Sequence, residues 1–201
     1  MPKILTATEV ASFRDRLCDV AEMLFAKHGP DAVTVRQLAG ELGVSPMTPY
    51  RYFKDKDAML AAVRARAFDR FATVMEQACD NPPNQQDGGQ TYIDFALAHP
   101  QAYTLMFDIT QPTAAQHPEL LQAMQRARAT MSLGVRQLAG PTADEPEIER
   151  ISHVFWSSMH GAIMLQLAGL LHPPLDARTI LKTTHDLLMA GLTQRLSDPS
   201  P

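Results

Sequence analysis

An all-α fold is predicted for this chain of 201 residues, and three observations support the prediction. Apolar residues recur at spacings of three and four along nearly the whole sequence, which is the period of one helix face. Hydroxyl residues that suit helix N-termini precede these stretches, while prolines and glycines separate them. Alternating apolar and polar residues, the pattern of a half-buried strand, do not extend over a useful length.

The first predicted helix begins at Thr6. Thr6 and Glu9 have the spacing of a capping box, in which a hydroxyl and a carboxylate satisfy backbone N–H groups reciprocally. Gly29-Pro30 ends the helix, because glycine readily takes the left-handed conformation found at helix C-termini. The apolar stripe between these signals consists of Val10, Phe13, Leu17, Val20 and Leu24.

Two short helices are predicted next. Thr34 and Gln37 form a second capping box, and the helix that they begin ends at Gly43. Ser45 caps a third helix, which has a proline at its first position, where the missing N–H costs nothing, and which runs to about residue 53.

Longer helices are predicted for the rest of the chain. Asp55 caps a helix over about 56–79. Residues 81–90, NPPNQQDGGQ, predict a surface loop because they are rich in proline, glycine and amides. Further helices are expected at about 89–98, 101–108, 117–139, 146–170 and 177–196, with a frayed tail after Ser197.

Charge is distributed unevenly along the chain. The net charge is −4, yet the first 70 residues carry 11 Lys/Arg against 9 Asp/Glu, and the remaining residues carry 7 against 13. Only the first third of the chain therefore suits a polyanionic partner, and its contacts must come from a few placed cations.

Cys18 and Cys79 lie in predicted helices without metal-site spacing, which indicates core residues in a reduced compartment. The absence of a signal-peptide pattern or an 18-residue apolar run predicts a cytoplasmic protein that does not cross a membrane.

Residues 34–56, TVRQLAGELGVSPMTPYRYFKDK, carry the most specific pattern. Two short capped helices joined by a glycine-containing turn form a helix-turn-helix, whose second helix enters the major groove of DNA. Tyr50, Arg51 and Tyr52 follow with few acids nearby, and hydroxyls and cations are the groups that bind phosphate oxygens. The alternative interpretation of this cluster is a solvated helix end.

The same stretch resembles the DNA-binding domain of the TetR family of repressors in order and spacing. The C-terminal half is similar to one branch of that family, through Trp156-x-x-x-His160-Gly161 and the run from Ala98 to Phe107. The matching N-terminal residues are Phe25-Ala26-x-x-Gly29, Thr34-Val35-x-x-Leu38-Ala39, Gly43-Val44-Ser45, Tyr50-Arg51-Tyr52-Phe53 and Lys56.

The resemblance implies a three-helix helix-turn-helix domain over 1–55 and a helical domain for effector binding and dimerisation over 56–201. It implies a repressor that binds a palindromic operator in double-stranded DNA as a homodimer and is released by a small molecule. The helix at 56–79 would join the effector pocket to the DNA-binding domain and transmit the effect of effector binding.

The resemblance implies phosphate contacts for the positions of Thr34, Tyr50, Tyr52 and Lys56. It places Arg36, Met47, Thr48 and Arg51 near bases or the backbone beside them. Pro49 departs from the family, because it stands where an apolar helix former is usual and removes the bond that the Ser45 carbonyl would accept. A tighter turn is therefore expected there. Arg36 is equally consistent with an ordinary exposed arginine. The implied contacts are Thr34, Arg36, Ser45, Met47, Thr48, Tyr50, Arg51, Tyr52, Lys54 and Lys56.

An apolar effector pocket is predicted from the methionine-rich C-terminal helices, since methionine lines permissive binding surfaces. Trp156 and His160 share a helix face, and the alternative is that they pack only in the core. No third ligand accompanies His153 and His160, so no metal is expected. The predicted lining is Met75, Phe95, Tyr103, Met106, Phe107, Met124, Met131, Trp156, Met159 and His160.

The helix predicted at 146–170 is apolar on nearly all sides and must be covered on more than one. The resemblance implies a four-helix dimer interface with the last helix; the alternative is a central helix buried in a monomer. The implied interface residues are Ile151, Ser158, Ala162, Leu165, Leu187, Leu188 and Gly191.

Two other classes of function stay open on the residues alone. A helical adaptor would bind protein through the apolar C-terminal half. A small-molecule enzyme is disfavoured because no nucleophile–base pair, carboxylate pair or phosphate loop is recognisable, and no cofactor is expected.

Overall fold

A computed structural model describes residues 6–80, 88–108, 114–139 and 144–197. Within these ranges the chain forms eight α-helices and two 3₁₀ turns and contains no strand, which confirms the all-α prediction. The helices are α1 (Ala7–His28), α2 (Val35–Glu41), α3 (Lys56–Asp80), α4 (Gly88–Ala98), α5 (Pro100–Met106), α6 (Pro118–Ala139), α7 (Glu145–Leu167) and α8 (Ala177–Ser197).

Both predicted capping boxes are present. The Glu9 N–H donates to the Thr6 hydroxyl at 3.2 Å, and the Glu9 carboxylate accepts from the Thr6 N–H at 2.8 Å. Thr34 and Gln37 repeat the arrangement at the start of α2, at 3.2 and 2.7 Å. These side chains satisfy N–H groups that lack intrahelical partners.

The described residues divide into two compact units. The first contains the residues up to Arg70 together with Gln101–Arg126, and the second contains Phe71–Pro100 together with those from Ala127 onward. Helix α3 contributes to both. The division into domains at residues 55 and 56 remains a prediction.

The first unit is built around one hydrophobic core from α1, α2, α3 and α5. Leu17, Leu38, Met59 and Leu60 are among its fully buried side chains. Cys18 is buried in this core, as predicted, and burial raises the pKa of its thiol. Other members are Ala21, Leu24, Phe25, Val33, Phe53, Ala62, Val63 and Leu105.

In the second unit α7 packs against α8, and α4 packs against both. The Ser158 and Thr184 hydroxyls join α7 to α8 at 2.8 Å, and Arg178 of α8 pairs with Asp94 of α4. Ile148 and Ile151 of α7 form a smaller apolar cluster with Val135 of α6.

Helix α7 ends three residues earlier than the sequence pattern predicts. The predicted end was residue 170, whereas the helix ends at Leu167 and Gly169 has φ +69°. The N–H groups of Gly169 and Leu170 donate back to the carbonyls of Gln166 and Leu165. Glycine adopts this left-handed conformation at no steric cost, so it ends the helix.

None of the described helices combines the length and apolar character needed to span a membrane.

Candidate nucleic-acid interface

The turn after α2 is closed by backbone hydrogen bonds around Gly43. The Gly43 N–H donates to the Gly40 carbonyl and the Val44 N–H donates to the Ala39 carbonyl, both at 3.0 Å. Gly43 has φ +65°, a conformation that disfavours residues with a Cβ atom. This turn fixes where the following segment leaves α2.

Two glycine substitutions test this turn, and we expect them to have opposite signs. Gly43→Ala strains the left-handed conformation and should lower the free energy of unfolding by about 1 kcal/mol. Gly40→Ala, in open space within α2, should raise it by about 0.5–1 kcal/mol because alanine favours a helix. Urea unfolding followed by circular dichroism measures both. Equal effects of the two variants would contradict this account of Gly43.

The recognition segment, residues 45–53, is not the regular helix that its cap predicts. A turn at Ser45 is followed by a single 3₁₀ turn, Pro49–Arg51. The helix predicted from Ser45 to residue 53 was therefore wrong, although the expected tighter turn at Pro49 is confirmed. Because Pro49 has no N–H, the Ser45 carbonyl accepts from the Thr48 N–H instead, at 2.8 Å.

The rest of the recognition segment continues as tight turns. The Arg51 N–H donates to the Thr48 carbonyl at 3.1 Å, and the N–H groups of Tyr52 and Phe53 both donate to the Pro49 carbonyl at 3.0 Å. Pro49 itself is buried. The segment is therefore anchored at its middle and presents the residues on both sides of Pro49.

Most of the predicted DNA contacts are exposed. Met47 is 68% exposed and Tyr50 is 48% exposed, while Thr48, Tyr52 and Lys56 are half-buried. No aspartate or glutamate occurs between Leu42 and Lys54. The surface therefore offers hydroxyls and cations without a competing carboxylate from this stretch. The remaining exposed members are Thr34, Arg36, Ser45, Arg51 and Lys54.

Two of these residues also hold the unit together. The Tyr52 ring packs on Phe13 of α1 with centroids 4.6 Å apart, and the Lys56 ammonium lies 3.4 Å from the Asp31 carbonyl oxygen. Phe53 is buried, with the Arg14 guanidinium 5.0 Å from its ring centroid. The sequence pattern missed these contacts because they join residues distant along the chain.

A polar groove of about 620 Å³ lies beside α1, α3 and α6 in the first unit. Three arginine–carboxylate pairs occur along it or at its edge, namely Arg14–Glu119, Arg66–Asp19 and Arg126–Asp69. Its lining does not match the apolar surface predicted for the effector.

The predicted effector residues occur in both units. In the first unit Tyr103 and Met106 are buried on α5, and Phe107 contacts Tyr103 and Phe68 with ring centroids 5.0 and 5.7 Å apart. Met124 is half-buried on α6. This unit therefore brings three of the predicted residues together.

Arg64 is a buried cation that sequence analysis missed. It is 7% exposed on α3, and its guanidinium donates to the Met106 carbonyl at 3.0 Å. Burial lowers the pKa of Arg64, and Asp108 opposes that shift. Nothing in the sequence distinguishes it from the exposed arginines of the same helix.

In the second unit Met75, Phe95 and Met159 are buried, while Met131, Trp156 and His160 are half-buried.

Tyr92, which the sequence did not indicate, accepts a 3.0 Å hydrogen bond from the Trp156 indole N–H. Phe71 packs edge-on against Tyr92 and Phe95, at 5.1 and 5.2 Å. These contacts fix Trp156, and its role in a pocket remains a prediction.

We expect His160 to make stability depend on pH. Burial lowers the pKa of its imidazole below the ordinary value of about 6.5. The unfolded chain then binds a proton more readily, so stability is full above about pH 6.5 and falls as the pH drops towards the folded-state value.

Urea unfolding at several pH values tests this expectation. His160→Gln should reduce the loss of stability between pH 7.5 and 5.5, whereas Ser157→Ala, at an exposed position of the same helix without a titratable group, should leave it unchanged. An identical pH profile for His160→Gln and the unmodified protein would contradict the assignment.

The predicted dimer residues differ in exposure within one chain. Leu165 and Leu187 are 43% and 70% exposed. Gly191 is also exposed, whereas Ser158 and Leu188 are half-buried.

Ile151 and Ala162, from the same predicted set, are buried by the chain itself. Of the predicted dimer residues, Leu165 and Leu187 therefore supply most of the apolar surface that a partner subunit could cover.

Comparison with known proteins gives the following matches. The family model described as "Bacterial regulatory proteins, tetR family" matches residues 17–63, and that described as "Tetracyclin repressor-like, C-terminal domain" matches residues 86–188. A curated relative, an HTH-type transcriptional regulator of Staphylococcus aureus (strain USA300), is 32% identical over 84 residues. That match covers 42% of this chain and 45% of the relative, so the chain spans less than half of the relative's length.

Solved structures extend the fold likeness to nearly the whole chain. A protein of unknown function from Rhodococcus sp. RHA1 is 25% identical, with a TM-score of 0.74 over 95% of this chain and 98% of its own. PfmR, a TetR family transcriptional regulator from Thermus thermophilus, is 19% identical, with a TM-score of 0.58 over 88% and 98%. The fatty acid degradation regulator FadR from Bacillus halodurans is 16% identical, with a TM-score of 0.65 over the same shares.

Proposed function

Because this chain belongs to the TetR family of DNA-binding transcriptional regulators, we propose that it is a repressor that binds a palindromic operator as a homodimer. A small, largely apolar effector releases it. It acts in the cytoplasm by binding, without catalysing a reaction. The observation that carries the proposal is the exposed recognition segment, flanked by hydroxyls and cations.

The DNA-binding part of the proposal rests on the chemistry of the exposed groups. Tyr50, Arg51 and Lys54 offer a phenol, a guanidinium and an ammonium, all of which donate hydrogen bonds to phosphate oxygens. Phosphate contacts fix the register of a protein on the duplex, and residues between them then reach base edges. Met47 and Thr48 lie between Thr34 and Tyr50, the two nearest proposed phosphate contacts, so we assign them to the base edges.

Dimerisation is supported by the exposed leucines of α7 and α8. Leu165 of α7 and Leu187 of α8 are exposed within one chain, on two helices that pack against each other, and exposed apolar side chains there are available to an interface. A twofold dimer would place two recognition segments on successive major-groove faces, roughly 34–36 Å apart. The twofold symmetry requires two inverted half-sites, and the spacing of the recognition segments sets the distance between them.

Replacing Leu187 with a charge tests the dimer. We expect Leu187→Glu to shift the protein to a monomer, because an unpaired carboxylate would be buried in the interface. Its operator affinity should fall at least tenfold, because a monomer contacts one half-site and loses the contribution of the second. Leu175→Glu, at a 52% exposed position outside α7 and α8, is the control and should stay dimeric. Analytical ultracentrifugation gives the outcome, and a dimeric Leu187→Glu would count against this interface.

Effector release requires two states of the dimer with different spacings. If an effector weakens DNA binding by a given factor, DNA weakens effector binding by the same factor. Buried methionines and aromatic residues of the second unit, such as Met75, Phe95 and Met159 on α3, α4 and α7, supply apolar surface for such an effector. Helix α3 joins the recognition segment to these helices along the chain.

Selection of bound DNA from a random pool tests the proposal directly. We expect the selection to enrich an inverted repeat. The protein should retard a fragment with that repeat in a gel mobility-shift assay, and high salt should abolish the shift. Compounds are then screened for release of the fragment. Failure to enrich any sequence, together with no binding to random DNA at low salt, would overturn the proposed function.

A further inference from the structure

Met47 stands out within the recognition segment. Its side chain is 68% exposed, although methionine is usually buried. An isolated exposed apolar residue is ordinary, but this one lies in the first turn of the recognition segment. On the proposed function, that turn faces base edges.

The backbone around Met47 is held in place on both sides. The Met47 N–H lies 3.4 Å from the Ser45 hydroxyl oxygen, and the Thr48 N–H donates to the Ser45 carbonyl at 2.8 Å. Pro49, the next residue but one, is buried. The turn is therefore anchored, and Met47 projects from it.

Between Gly43 and Tyr50 no side chain carries the groups that discriminate bases by paired hydrogen bonds, and the first residue that does is Arg51, four positions after Met47. Residues 43–50 include no arginine, lysine, asparagine, glutamine, aspartate or glutamate. Those six residue types make the donor and acceptor pairs with guanine, adenine and cytosine in the major groove. The base-edge feature that an apolar side chain can recognise there is the C5-methyl group of thymine.

We infer that Met47 selects a thymine in each operator half-site by packing its side chain against the C5-methyl group. The inference rests on the proposed function and adds the operator chemistry that the segment recognises. The flexible thioether adapts its shape to the methyl group and needs no hydrogen-bonding partner. Thymine would be recognised by shape and apolar contact, while nearby arginines and hydroxyls bind the backbone.

Uracil in place of thymine isolates this contact, because the two bases differ only in the C5-methyl group. In the operator selected from a random pool, each dT is replaced by dU at symmetric positions, and affinity is measured with the full-length protein. Burying one methyl group is worth about a fourfold change in affinity. Substitution in both half-sites should therefore weaken binding about fifteenfold at one thymine position.

Met47→Ala completes a double-mutant cycle. We expect this variant to bind the thymine operator more weakly and to show no further loss with uracil at that position. Lys54→Ala is the matched control: it should weaken binding but keep the full uracil penalty. Met47→Leu, which retains an apolar side chain, should keep most of that penalty.

Three outcomes would overturn the inference while leaving DNA binding intact. Half-sites without thymine, uracil substitutions that change nothing, or an equal uracil penalty in the unmodified protein and Met47→Ala would each do so. Absence of any DNA binding would overturn the proposed function as well, so the two failures are distinguishable.

Discussion

Leu38→Ala is expected to lower the free energy of unfolding of the first unit by about 3 kcal/mol. Leu38 lies on α2 and is fully buried in the core with Leu17, Phe53 and Leu60. Truncating a buried leucine loses its transfer free energy and leaves a cavity, at a cost of about 2–5 kcal/mol. This is a large share of the roughly 5–15 kcal/mol of a typical domain.

Urea unfolding monitored by circular dichroism measures this loss. Met23→Ala is the control, because Met23 is on α1 and is 51% exposed, and it should change stability by less than about 0.5 kcal/mol. A loss below about 1 kcal/mol for Leu38→Ala would mean that α2 does not depend on this core.

Removing Lys54 and Lys56 together is expected to weaken binding to any DNA about a hundredfold. Each hydrogen bond to a charged group contributes about 1.5–3 kcal/mol, and a tenfold change corresponds to about 1.4 kcal/mol. Both lysines would act on phosphates, so operator and random DNA should lose affinity alike. The slope of the logarithm of the binding constant against the logarithm of the salt concentration should become less negative by about 1.8, since each phosphate contact contributes about 0.9.

Fluorescence anisotropy at several salt concentrations measures both quantities. Lys182→Ala is the control: Lys182 pairs with Asp186 on α8, and its loss should leave the salt dependence unchanged. Tyr52→Phe removes one more phosphate donor but keeps the ring on Phe13, and it should weaken binding without destabilising the fold. Unchanged affinity in the lysine double variant would remove the phosphate assignments.

Local signals made much of the fold predictable. Capping boxes at Thr6 and Thr34, the Asp55 cap and the Gly29 terminator all act within a few residues of the backbone groups that they satisfy. Such short-range chemistry is visible in a sequence. The exposed cations and hydroxyls of the candidate interface followed from the same local reasoning.

Errors arose where two local signals disagreed or where partners are far apart. Ser45 predicted a regular helix, but Pro49 removes a hydrogen bond and the segment becomes a 3₁₀ turn. Tyr92 was indistinguishable from an ordinary core aromatic until Trp156, 64 residues away, was found to donate to it. Arg64 was likewise recognisable only once Met106 had been placed beside it.

The prolines of the recognition segment have a thermodynamic consequence. Pro46 and Pro49 restrict φ on both sides of Met47, so the free protein already samples few conformations there. Docking a stiff loop forfeits less entropy than docking a pliable one, and preorganisation raises affinity by reducing that loss. The recognition segment therefore lacks a regular helix, but the turn between Pro46 and Pro49 is conformationally restricted before DNA binds.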